Sequence, residues 1–227
     1  MNTYNSAEQP DQNLYSNLYA LALIQPLLQN YPFIPLTTSS IKPNNLAFLL
    51  NDVTLNQRKS ILEFGSGIST ILMGRLIRKN AMDCKIISVE HDKGWIEFVQ
   101  GYIDKDGTNE AIQMIYAPLT SSENALDENA WYDTRVLEKS VQGIKFDMVV
   151  IDGPPAWEPN KDRARYPAFS FIWNRLCSKA VVCLDDANRD GEKDILAKWE
   201  GDYRIRFDYT GTLAYHVRGN AFNSLIK

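Results

Sequence analysis

Three aspartates stand at the ends of two apolar runs: Asp152 closes "DMVVI", and Asp185-Asp186 close "AVVCL". If those runs are strands of one parallel sheet, the three carboxylates converge at one sheet edge. Oxygens so placed can bind a hard divalent ion such as Mg²⁺, or a single carboxylate, Asp152 first, can take a proton from an acceptor hydroxyl. Oxygen-only ligands favour a hard ion over zinc, since the nearby Cys183 lies inside its run. Asp152 and Asp185 are thus the candidate catalytic groups, and Asp152, Asp185 and Asp186 the candidate metal ligands. The competing reading is structural, because acids at strand ends also cap helices and close turns.

A second constellation lies in "ILEFGSGISTILM" at 61–73. A strand ending at Phe64, followed by Gly65-Ser66-Gly67 and a helix from about Ile68, lets a ligand approach backbone at a helix N-terminus. Glu90 ends the next apolar run, "KIISVE", 25 residues after Gly65, where a carboxylate can accept hydrogen bonds from both hydroxyls of a ribose. The pair suits an adenosine-containing cofactor. A dinucleotide fingerprint would carry a third glycine where this chain has Thr70, preceded by Ser69, which weakens an NAD reading.

Four further side chains are candidate acceptor contacts. Trp131 and Tyr132 sit in a polar stretch, 117–135, where two large aromatics exceed what solvation requires; they are either a lid over an acceptor or a satellite core. Arg163 and Arg165, beside Pro167, open the helix after "DGPPAWEP" and could grip an anionic acceptor such as a uronate, phosphate or sulfate, with a salt bridge to Glu158 or Asp162 as the alternative. The two histidines, His91 and His216, are too few for a histidine-rich metal site.

The elements that must position these groups follow from the pattern. A polar leader runs to about Gln12, followed by a helix over Leu14–Gln29 and a proline-punctuated connector. Strand-like runs follow at 60–64, 85–90, 111–116, 146–151 and 180–184, separated by segments long enough for helices. That alternation predicts a Rossmann-like α/β fold, a mostly parallel sheet with helices on both faces. "YRIRFDY" and "LAYHV", joined through Thr210-Gly211-Thr212, predict a C-terminal antiparallel hairpin. Residues 1–44 form a tail and helical cap, and 45–227 the ligand-binding domain.

With 227 residues, 24 basic and 28 acidic side chains and a net charge of −4, there is no basic stripe for a nucleic-acid backbone. Cys84, Cys177 and Cys183 form no CxxC pair, which fits reduced core thiols in a cytoplasmic protein. The most apolar N-terminal stretch is short and broken by Gln25-Pro26, so neither a membrane span nor a signal peptide is expected.

"ILEFGSGIST", "IISVEHDKGW", "FDMVVIDGPP" and "AVVCLDDANRDGEKDILAKW" occur in the order found in class I S-adenosylmethionine-dependent methyltransferases, a resemblance covering about residues 45–217. More narrowly, G-S-G-x-S-T, E-H-D, "WYD", "RYPAF" and D-D-A-x-R resemble bacterial sugar and polysaccharide O-methyltransferases. The resemblance implies that Glu63, Gly65 and Gly67 line the methionine and ribose side, that Glu90 holds the ribose and that His91 flanks the adenosine. Ser66, Ser69, Thr70 and Asp152 complete the expected cofactor set. Metal-dependent catechol-type relatives place an acid after the fourth strand and Asp-Asn after the fifth; here Asp186 replaces the Asn. "DGPPA" departs from the motif of nucleic-acid amino-methyltransferases. The expected activity is methyl transfer from S-adenosylmethionine to an oxygen of a small-molecule or glycan-like acceptor, with Mg²⁺ as the candidate metal. An NAD-type oxidoreductase and a catalytically silent S-adenosylmethionine-binding module are the alternatives.

Overall fold

The computed structural model describes residues 12–127, 130–157 and 161–226. Most of the expected polar leader, and Glu158, lie outside them. Three predicted strands form where the apolar runs stand: β1 (Ser60–Phe64), β2 (Lys85–Glu90) and β6 (Phe146–Ile151). They are joined by β3 (Ile112–Tyr116) and β7 (Leu176–Leu184). Between them run α3 (Ile68–Lys79), α4 (Lys93–Asp106), α5 (Thr134–Ser140), α6 (Pro167–Trp173) and α7 (Asp190–Tyr203). The hairpin is β8 (Asp208–Thr210) and β9 (Leu213–Arg218), a shorter first strand than predicted because α7 extends to Tyr203.

The sheet order is β3-β2-β1-β6-β7-β9-β8, parallel from β3 to β7, with β9 antiparallel to both β7 and β8. Neighbouring strands alternate residue by residue between two cores. Ile61, Met148, Val150, Val181 and Cys183 face the side of α3, α4 and the N-terminal helices, while Leu62, Val149, Ile151, Val182 and Leu184 face α6 and α7. Helices on both sides account for strands that read as near-continuous apolar runs. The strand order reverses between β1 and β6, the point at which open α/β sheets form a crevice at the carboxyl ends of their strands.

Two segments depart from expectation. The N-terminal helix α1 (Gln12–Ile24) stops short of Gln29 and continues as a 3₁₀ turn, Gln25–Leu27, where Pro26 cannot donate the next helical hydrogen bond. The stretch 117–135 contains a second, two-stranded sheet, β4 (Leu119–Ser121) paired with β5 (Ala130–Tyr132). A second cap helix, α2 (Pro43–Leu55), starts at its proline and packs against α1.

Candidate active site

The β1–α3 turn is shaped by its neighbour across the sheet. Gly65 has φ +89°, and a Cβ there would lie 2.9 Å from backbone atoms of Asp152 and Gly153. A Cβ on Gly153 would meet the Tyr132 hydroxyl at 2.3 Å and Gly65 Cα at 2.8 Å. The two glycines therefore let the ends of β1 and β6 pack backbone to backbone. A Cβ on Gly67 would meet nothing within 4 Å, so that residue faces open space where α3 begins.

Below the turn, Glu63 is fully buried. Its Oε1 accepts from Ser69 Oγ at 2.6 Å, and its Oε2 from Thr70 Oγ1 at 2.5 Å and Ser88 Oγ at 2.7 Å. Thr70 Oγ1 also accepts the Gly67 N–H at 2.9 Å. Burial raises the Glu63 pKa against the lowering effect of these three hydroxyls. Glu63 and Thr70 are thus corrected from cofactor contacts to the ties that hold β1, β2 and the start of α3 together behind the loop.

Glu90 lies at the cleft surface with both oxygens engaged. Oε2 accepts from the backbone N–H and hydroxyl of Ser66 at 3.1 and 3.2 Å, and Oε1 from the N–H groups of His91 and Asp92 at 2.7 and 3.1 Å. Burial alone would raise its pKa, but the His91 ring, whose Nδ1 lies 2.7 Å from Oε1, and these N–H groups hold it below the usual value. The same contact raises the pKa of His91. Trp95 of α4 donates its indole N–H to Ser66 O at 2.8 Å and completes the loop's support.

The carboxylates converge across the cleft as the sequence pattern predicts. Oxygens of Asp152, Asp185 and Asp186 lie within 4.8 Å of one another. Arg165, 3 % exposed, reaches into this cluster. Its Nη2 donates to Asp152 O and Oδ1 at 3.1 and 3.2 Å and to Asp186 Oδ2 at 3.4 Å, while Nη1 reaches Asp185 O at 3.0 Å and Nε Pro154 O at 3.3 Å. Arg189 pairs with Asp186 Oδ2 at 2.8 Å. Asp185 Oδ1 accepts from Asn45 Nδ2 at 2.8 Å, the amide that also reaches Thr212 Oγ1 at 2.7 Å. Asp186 adopts a left-handed backbone, φ +58°, strain of the kind that surrounding contacts must impose on a residue with a side chain.

Behind Arg165 lies Glu192, 3.5 Å from its Nη1. Three carboxylates, Asp152, Asp186 and Glu192, therefore share two guanidinium groups, while that of Asp185 is met by Asn45. Burial, then the neighbouring Asp185 charge, raises the Asp152 pKa well above the carboxylate range. Burial and the Asp186 charge push Asp185 up to about 6, and burial pushes Glu192 up to about 7.

Asp152, Asp186 and Arg165 line one cleft of about 830 Å³ together with Ser66, Glu90, Thr37–Ser39 of the connector, Gly65, His91, Tyr132, Trp157 and Arg189, while Asp185 and Glu192 are buried behind its wall. An apolar annex of about 280 Å³, walled by Ile34, Ile41, Ile68 and Phe98, shares Ser66, Trp95 and Asp152 with it; Gly67 and Ser69 line the annex.

The acceptor candidates divide. Trp131 is 1 % exposed and packs on Phe64 at 5.2 Å between ring centroids, so the lid reading is corrected for it: this indole belongs to the core. Tyr132 stacks on Phe64 and lies edge-on to Trp131, yet its hydroxyl is buried at the cleft wall with no partner among the described residues. Burial holds that hydroxyl in its protonated form. Arg163 is corrected as well, since it pairs with Asp127 and Asp194, away from the cleft lining. Arg165 is in the cleft but is held by carbonyls and acids. Asn45, Thr212, Arg189 and Glu192 went unassigned in the sequence. Arg189 alone had a signal, in D-D-A-x-R.

A seven-stranded sheet of this order, with ligand-facing loops at the β1/β6 reversal, has the fold of class I S-adenosylmethionine-dependent methyltransferases. Residues 62–187, over half of the chain, match the model of a methyltransferase-domain family, and the chain belongs to that family. That membership sets aside the NAD-type oxidoreductase. No curated protein matches in sequence. Among solved structures, a candidate O-methyltransferase from Klebsiella pneumoniae is similar at TM-score 0.58 and 18 % identity, covering 94 % of this chain and 93 % of that one. The O-methyltransferase TomG of Streptomyces achromogenes, in complex with S-adenosylmethionine, gives 0.54 and 14 %, covering 94 % and 93 %. An O-methyltransferase from Bacillus cereus with bound S-adenosylhomocysteine gives 0.55 and 14 %, covering 93 % of each chain.

Proposed function

We propose that this chain transfers the methyl group of S-adenosylmethionine to a hydroxyl oxygen of a small-molecule or glycan-like acceptor, with a hard divalent cation at Asp152, Asp185 and Asp186. The observation that carries the reading is the convergence of Asp152, Asp185 and Asp186 opposite a glycine turn at one cleft, where burial and neighbouring charge raise the pKa values of Asp152 and Asp185. Perturbed acids that converge in a cleft mark functional sites more often than structural ones. The donor set suits Mg²⁺: three carboxylates, no thiol or imidazole among them.

When bound, the cofactor supplies a methyl group already activated on a sulfonium, and the cation would lower the acceptor hydroxyl's pKa. The chain's residues do the rest. Glu90, Ser66 and Gly67 offer the ribose and methionyl groups a rigid wall at the start of α3, and Ser69, its hydroxyl held by Glu63, lines the annex. Tyr132, whose hydroxyl has no partner among the described residues, presents an O–H donor to whatever occupies the cleft. Arg165 fixes the orientation of Asp152, and Asn45 that of Asp185. With the cation in place, the acidified acceptor hydroxyl would lose its proton to solvent, and without it Asp152 is the base candidate that accepts the proton; either way the acceptor oxygen bonds to the methyl carbon as the carbon–sulfur bond breaks and leaves a neutral thioether. Holding the two reactants in line supplies most of the rate.

The test is S-adenosylhomocysteine release from a panel of hydroxylated metabolites and glycans, run in EDTA and then with Mg²⁺ or Mn²⁺. Turnover of an alcohol or phenol that stops in EDTA and returns with the metal supports the reading. Turnover unaffected by EDTA removes the cation and leaves Asp152 as a metal-free base. Tight cofactor binding without turnover of any acceptor favours the silent binding module.

A further inference from the structure

Helix α1 is apolar on the wrong side. Toward α2 it presents Asn17, whose Oδ1 accepts the Asn44 N–H at 3.2 Å, together with Ala20 and Ile24. Outward it presents Leu14, Tyr15, Leu18, Tyr19 and Leu23, each between 44 % and 59 % exposed, with Ala22 among them. At 100° per residue these six fall within one half of the helix surface. A helix on the surface of a globular protein turns its apolar stripe inward and its charges outward. Here no residue of Gln12–Ile24 is charged, and among the described residues nothing covers the outer face.

We infer that the outer face of α1 is the surface through which two copies of this chain pair. The stripe is self-complementary: Asn-Leu-Tyr at 13–15 repeats at 17–19, one helical turn on. An antiparallel pair about a two-fold axis near Leu18 and Tyr19 therefore sets Leu14 and Tyr15 of one copy against Ala22 and Leu23 of the other. Because α1 is uncharged, two chains of net charge −4 meet there without local repulsion. The five large side chains expose on the order of 500 Å², most of the roughly 800 Å² per partner that a stable interface buries. A lipid surface fits less well, since α1 has no Lys or Arg to hold headgroups.

Pairing there would also brace the cleft. Asn17 holds the start of α2, and the adjacent Asn45 donates to Asp185.

Sedimentation equilibrium of the full chain, from low micromolar to roughly a hundred micromolar, should give twice the 25.9 kDa chain mass. Leu18→Glu combined with Tyr19→Glu should give the single-chain mass with S-adenosylhomocysteine affinity unchanged. Should that variant fail to fold, hydrogen exchange of the wild type decides: α1 amides should exchange more slowly as concentration rises. A single-chain mass at the highest concentration, a dimer indifferent to the double substitution, or α1 exchange independent of concentration would each overturn the inference. So would vesicle binding by a chain that stays single in solution.

Discussion

On the β1–β2 side of the cleft, Glu63 and Glu90 have both oxygens engaged by hydroxyls and N–H groups of residues 66–92. On the β6–β7 side, three acids share Arg165 and Arg189 with a fourth, Asp185, beside them, one acid sits on a left-handed backbone, and a tyrosine hydroxyl nearby has no partner among the described residues. A satisfied polar network rigidifies, whereas unbalanced buried charge calls for a further partner. The first side is built to hold a fixed shape, and the second to gain something when a ligand arrives.

The largest expected effect breaks the unbalanced side. Asp185→Asn keeps the shape and the Asn45 contact but removes the charge; methyl transfer should fall about 10²–10⁴-fold while S-adenosylhomocysteine affinity stays within about twofold. Equal loss of both would mean that Asp185 merely supports the fold of the cofactor wall.

Next comes Trp131→Ala, which opens a cavity against Phe64 beneath the turn. Stability to denaturant should fall by about 3–5 kcal/mol. A variant of unchanged stability with a raised acceptor KM would return Trp131 to the role of a lid.

Glu90→Ala removes the anchor of Ser66 and the expected ribose partner together. Calorimetry should show S-adenosylhomocysteine binding weakened by about 1.5–3 kcal/mol, with unchanged affinity contradicting the assignment of this wall.

The smallest effect is thermal. Asp152 and Asp185 have folded-state pKa values above their ordinary one, so in the metal-free protein ionising them opposes folding, and the penalty grows as pH rises from the ordinary carboxylate range through about 6. Mg²⁺ should therefore raise Tm by a few degrees at neutral pH and by little at acid pH. For the same reason, the metal-free chain's affinity for Mg²⁺ should weaken as pH falls through about 6 and Asp185 takes up its proton. A Tm increment equal at both pH values would place the ion elsewhere.

The same contrast governs what the sequence revealed. β1, β2 and β6 are legible to the residue because strands covered on both faces are unbroken apolar runs that stop at a polar group. The glycine turn and Glu90 are legible because their spacing follows from one strand-turn-helix unit. Even there, Glu63 and Glu90 look alike as strand-end acids, and only the sheet register sends one behind the loop and the other into the cleft. On the opposite side, the three aspartates are visible but their partners are not. Asn45 reaches Asp185 across 140 residues of chain, and no local pattern marks an asparagine for that contact. Trp131 misleads because the stretch around it is polar, while its neighbour in space, Phe64, comes from another element of the same core cluster.

The central claim, that the acid cluster is incomplete without a cation, is tested most directly by titrating Mn²⁺ into the wild type and Asp185→Asn at neutral pH and following the free-ion electron paramagnetic resonance signal. The account predicts one bound ion per wild-type chain, displaced by Mg²⁺, and none in the variant. A wild type that leaves all Mn²⁺ free, or a variant that binds it equally well, would contradict it.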